Sequence, residues 1–147
     1  MGRWLRAAGY LPDQVLCSTA RRARETWELV QPELGSSPAV VYDHGVYEAS
    51  AERLLELIRR VPSPTGTLLV VGHDPAIPKF ALTLAVIAPK GPERTGSDVL
   101  PMLDRMRAKF PTAAVAVLEF SGSWNLLAPG SARPACFVTP RDLAVPE

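Results

Sequence analysis

Short apolar runs alternate along the chain with stretches whose apolar residues recur at helical spacing. Residues 2–9 (GRWLRAAG) predict a helix, with Trp4, Leu5 and Ala8 on one side and Gly9 as its C-terminal stop. No N-cap residue precedes this helix, so it reads as the end of a longer one. Residues 14–17 (QVLC) predict a strand. Ser18 follows, then a polar helix from 19 to about 30 with Ala23, Trp27 and Val30 on one face, closed by Pro32 and Gly35. A second strand at 39–42 (AVVY) leads through Asp43, His44 and Gly45 to Ser50. Ser50 is a good N-cap, with Glu52 in the first turn of a helix that buries Leu54, Leu55, Ile58 and Val61. The third strand, 67–71 (TLLVV), is apolar and ends at Gly72. His73, Asp74 and Pro75 follow, then a helix with Ile77, Phe80, Ala81 and Leu84 inward.

Three strand–helix alternations predict a parallel sheet covered by helices. The Pro- and Gly-rich stretch 89–97 (PKGPERTGS) reads as a loop, and Ser97 as the cap of a helix carrying Leu100, Leu103 and Met106 on one face. A strand at 113–120, a turn at 121–123 and a partner strand from Trp124 read as an antiparallel hairpin at the sheet edge. Residues 135–139 add a last short strand. The expected fold is α/β, a mostly parallel sheet with helices on both faces and this hairpin at its edge. A length of 147 residues fits a single domain, 1–147.

Composition narrows the function. Sixteen basic against fifteen acidic residues argue against a nucleic-acid binder. No apolar run reaches the roughly 18 residues of a membrane span, and no signal-peptide pattern opens the chain. Two cysteines, Cys17 and Cys136, are too few for a disulfide scaffold and favour a reducing, cytoplasmic compartment. The chain has only two histidines, His44 and His73.

In open parallel sheets, ligands bind beyond the carboxyl ends of the strands. The first strand end offers Ser18 with Arg22, the second His44 and Glu48, the third His73. A helix N-terminus after Ser18 suits an anion, and Arg22 can fork two N–H bonds to a phosphate, with Arg21 and Arg24 adding charge nearby. The same residues also fit a capped helix with a solvated basic face. Gly72 would allow a ligand close to the backbone, and His73 would face the cleft; a helix-capping histidine is the alternative. Glu48 and His44 fit solvated positions equally well. Cys17 ends a strand before a helix, but a cysteine-phosphatase loop needs arginine six positions on, where Ala23 stands.

Four segments in order resemble the histidine phosphatase (phosphoglycerate mutase-like) superfamily, in its SixA-type phosphohistidine phosphatase branch. Residues 12–27 (PDQVLCSTARRARETW) are similar to its Ser-x-x-x-Arg-Ala-x-x-Thr segment, with Ser18, Arg22, Ala23 and Thr26 matching. Residues 47–55 (YEASAERLL) resemble the start of a helix in that branch, and 69–75 (LVVGHDP) its Gly-His strand end. Residues 110–120 (FPTAAVAVLEF), Trp124 and 137–143 (FVTPRDL) resemble its C-terminal hairpin and tail. By this resemblance, Arg22 and Ser18 bind phosphate, His73 contacts the transferring phosphoryl group, and Glu48 stands near the position of a proton donor. The implied reaction is two-step hydrolysis through a phosphohistidine intermediate. It needs no metal and no cofactor, and the implied partners are phosphorylated proteins or small phosphoesters.

One departure is large. The family's nucleophile lies in an Arg-His-Gly or Arg-His-Ala motif after its first strand, and this sequence holds no Arg-His pair. His44-Gly45 comes after the arginine segment, and Asp43 replaces the arginine. The expectation is therefore a domain lacking its first strand, with Met1 an internal methionine of a longer phosphatase. Such a chain should show unpaired strand edges and bind a partner, or a second copy, over the gap. It should bind phosphate but turn over poorly. A non-catalytic phosphate- or phosphoprotein-binding relative is the alternative, and a plain scaffold the third reading.

Overall fold

Strand β1 (Gln14–Ser18) is the centre of the fold, because its residues are apolar on both faces and bury on both. Val15 and Cys17 point to one layer with Leu5, Ala23, Trp27 and Leu34. Leu16 points to the other, with Leu54, Ile58, Phe80 and Leu84. A full burial of this kind contributes about 1.5–3 kcal/mol per large side chain. The computed structural model describes residues 1–62, 64–85 and 99–143. The expected loop at 89–97 and the Ser97 cap lie outside them.

Helix α1 (Gly2–Ala8) ends at Gly9, whose left-handed φ of 84° is the conformation glycine adopts most readily. Leu5 of this helix is buried, whereas Ala8 is exposed. Helix α2 (Arg21–Leu34) starts two residues later than the pattern suggests and continues through Pro32 to Gly35. Proline in the last turn forfeits one hydrogen bond near an end that frays in any case, so the helix is not closed there. Strand β2 (Ala39–Asp43) lies parallel to β1. A 3-10 turn, His44–Val46, connects it toward α3 (Ala51–Arg59). Ser50 caps α3 by accepting the Arg53 N–H at 3.1 Å. Val61, expected on the buried face of α3, lies beyond its end. Strand β3 (Leu68–Val71) pairs parallel with the other edge of β1. Asp13 fixes that register by accepting the N–H groups of Gly66 and Thr67 at 2.5 and 3.0 Å. Helix α4 (Ala76–Leu84) returns over the sheet with Phe80, Ala81 and Leu84 buried.

The parallel sheet has the order β2-β1-β3. Helix α5 (Val99–Ala108) buries Leu103 and Met106 beside a second, antiparallel sheet of β4 (Val115–Glu119) and β5 (Arg133–Val138). The short helix α6 (Pro140–Leu143) ends the described residues. The expected α/β architecture, mostly parallel with a small antiparallel part, is present. The hairpin partner differs from expectation. Trp124–Leu126 is a 3-10 turn, held by the indole N–H of Trp124 on the Thr65 carbonyl at 2.8 Å. The strand opposite β4 is the later β5, which takes in residues 135–138 of the short strand expected at 135–139.

Strands β3 and β4 each pair along one edge only among the described residues. A cleft of about 820 Å3 separates them, lined by Leu69, Val71, Val115, Val117, Phe80 and Leu84 among others. Its walls explain why every residue of β3 is only half-buried, although all four are apolar.

Candidate functional site

The carboxyl ends of β1 and β3 bring Ser18 and His73 together. The Ser18 hydroxyl, fully buried, lies 2.8 Å from His73 Nε2 and accepts the Ala20 N–H at 3.1 Å. The hydroxyl thus ties the histidine to the backbone just before α2. Ala20 is the N-cap of α2 and supplies no side-chain cap. The first N–H groups of a 14-residue helix are therefore left for an anion.

Arg22 is the second residue of α2 and is exposed. It forms no ion pair among the described residues, whereas Arg21 is engaged by Glu25 at 2.9 Å. Arg22 and His73 both line one end of the cleft between the sheets. Burial pushes the His73 pKa below its ordinary 6.5, and the nearby Arg22 charge lowers it further. The imidazole is thus mainly neutral at pH 7.

Glu48 is exposed and shares no hydrogen bond with Ser18, Arg22 or His73 among the described residues. His44 is exposed, as expected of the Asp43-His44-Gly45 turn, in which Asp43 accepts the Gly45 N–H at 2.7 Å. It is nevertheless close to the site: its Nδ1 lies 3.1 Å from Thr19 Oγ1, the hydroxyl beside Ser18. Tyr47 stacks on His44 with centroids 5.4 Å apart and stands 5.5 Å from the His73 ring. Neither Thr19 nor Tyr47 stood out in the sequence, since only the folded sheet brings three strand ends together. The one available signal was an aromatic residue four positions after the strand-end Asp43.

At Gly72 the position a side chain would take is filled by protein. A Cβ there would lie 2.9 Å from Ile77 Cδ1 and 3.3 Å from Val46, so the glycine admits protein packing. Cys17 is fully buried among the residues under α2, and burial pushes its thiol up to about 11. A neutral thiol facing the core is no phosphatase nucleophile. Among the described residues no three His, Cys, Asp or Glu side chains gather as metal ligands.

No family model matches the chain. It is 39% identical over 140 residues to the uncharacterised protein Rv1276c of Mycobacterium tuberculosis, covering 95% of this chain and 81% of that one. The uncharacterised protein ML1117 of Mycobacterium leprae is 34% identical over 140 residues, with 95% and 79% covered. Among solved structures, the candidate phosphohistidine phosphatase SixA of Nakamurella multipartitia is similar with a TM-score of 0.76 and 30% identity, covering 95% of this chain and 77% of that one. A second, from Agrobacterium tumefaciens, matches with a TM-score of 0.70 and 26% identity, with 95% and 75% covered. A protein histidine phosphatase SixA complexed with tungstate shares the fold at a TM-score of 0.70 and 17% identity, with 97% and 78% covered. The fold thus defines an α/β protein with a phosphoglycerate mutase-like sheet and polar side chains at its strand ends. The chain belongs to the histidine phosphatase superfamily, in its SixA-type phosphohistidine phosphatase branch.

Proposed function

We propose that the chain forms the phosphoryl-binding part of a phosphohistidine phosphatase. The observation that carries this reading is the His73–Ser18 hydrogen bond of 2.8 Å, near Arg22, which forms no ion pair among the described residues. Arg22 and the free N–H groups of α2 would bind the phosphoryl oxygens. His73, held by Ser18, would stabilise the charge that develops on them. Glu48 is the candidate proton donor to the leaving group. In the proposed chemistry a histidine nitrogen attacks phosphorus, the bond to the leaving group breaks, and water then releases phosphate from the phosphohistidine. By the resemblance, the attacking nitrogen belongs to an Arg-His motif, which neither His73 nor His44 occupies; the contact of His44 with Thr19 engages Nδ1 alone. The 147 residues are therefore proposed to bind phosphate and to turn over poorly. The substrate would be a phosphorylated protein or a small phosphoester, met in a reducing, cytoplasmic compartment where Cys17 and Cys136 stay free. We propose further that a second copy of the chain covers the apolar cleft between β3 and β4.

A non-catalytic phosphate-binding relative is the second reading, favoured by the absence of an Arg-His pair from the sequence. Titration with phosphate or vanadate tests the binding site. Wild type should bind with Kd on the order of hundreds of micromolar or weaker, and Arg22→Ala should abolish binding. Equal binding by both would remove Arg22 from the site. Hydrolysis of a phosphohistidine peptide by these 147 residues, lost in His73→Ala, would overturn the assignment of the nucleophile.

A further inference from the structure

Tyr47 keeps 49% of its surface exposed, and its ring lies close to both histidines. His44 stacks against it at 28° between planes, and His73 stands tilted to it at 55°. His44 is itself pinned through Nδ1 to Thr19, so the stack hangs from the carboxyl ends of β1 and β2. His73 and Arg22 line the inner cleft, whereas Tyr47, His44 and Thr19 lie outside that lining. A phosphoryl group bound between Arg22 and His73 leaves the rest of its substrate to run outward over exposed surface. The ring nearest His73 on that side is Tyr47.

We propose that Tyr47, backed by His44, is a specificity-determining platform that prefers phosphoryl donors whose leaving group is a flat ring over those with a flexible alkyl group. Resting on the phosphate-binding reading above, it adds how the leaving group is recognised. Offset or tilted ring contacts favour a planar group, because an alkyl chain presents no π-face to the tyrosine. The platform is indifferent to whether the ring is a phenol or an imidazole, and two ring ligands separate stacking from polar recognition.

The test is binding of phenyl phosphate, phosphoimidazole and propyl phosphate to the 147-residue protein. Wild type should bind both ring ligands about fivefold more tightly than propyl phosphate, or about 1 kcal/mol. In Tyr47→Leu that ratio should fall to near one, and in Tyr47→Phe it should persist, with folding of each variant checked by its thermal midpoint. A ratio unchanged in Tyr47→Leu would overturn the platform alone. So would a preference for phosphoimidazole without one for phenyl phosphate. Failure of all three ligands to bind wild type would overturn the phosphate site itself.

Discussion

A histidine placed beside an arginine and half withdrawn from water starts out neutral, because both surroundings disfavour the imidazolium. For His73 burial is the larger cause and Arg22 the smaller. Arg22→Ala should therefore raise the His73 pKa while leaving it below 6.5, followed by NMR titration of the imidazole. An unmoved pKa would mean that Arg22 does not face the ring. The same depression affects stability. Above pH 6.5 the ring is neutral folded or unfolded; as pH falls below that value the unfolded chain takes the proton first, and stability declines through the lower folded pKa. Ser18 and Cys17 show how finely one strand divides its duties. Successive side chains point to opposite faces, so the thiol enters the core while the next hydroxyl meets His73.

At the scale of elements, Gly72 joins β3 to the loop before α4, and Ile77 occupies the space where a side chain would go. Gly72→Ala should cost about 1–3 kcal/mol, measured as a shift of the denaturant midpoint, because the methyl group meets a packed isoleucine. An unchanged midpoint would show that Ile77 swings aside freely. Strands β1 and β3 are legible in the sequence because a buried parallel strand leaves a short apolar run. β5 is legible only in part: residues 135–138 read as a strand, but Arg133, Pro134 and the pairing with β4 do not, because Pro134 faces Leu118 across a register shift that skips Ala135. Trp124 misleads in the opposite direction: an aromatic residue after a turn suggests a strand, but its indole is committed to Thr65. Ser18 and His73 could be found because each directly ends or follows a strand. The approach of Tyr47 to both histidines depends on β2 and β3 flanking β1, an order that no local pattern encodes.

For the molecule as a whole, the two sheets meet across an apolar cleft of about 820 Å3. An apolar surface of this kind beside open strand edges favours association. Sedimentation over rising protein concentration should therefore show a monomer passing to a dimer, and a single monomeric species at all concentrations would refute the second-copy proposal. The link between the two parts combines apolar packing of Leu127 and Ala132 against Leu54, Ile58 and Phe80 with hydrogen bonds. These include Trp124 on Thr65, Arg59 on the Leu127 carbonyl at 2.7 Å, and the Ala132 N–H on the Leu84 carbonyl at 2.9 Å. Strand β3 carries the consequence of that division most directly. Its backbone N–H groups point alternately to its two sides, and only one side has a strand to receive them. Adjacent amides, about 3.3 Å apart along the strand, thus belong to different regimes: those turned to β1 are locked by the sheet, and those turned to the cleft are open to exchange with solvent.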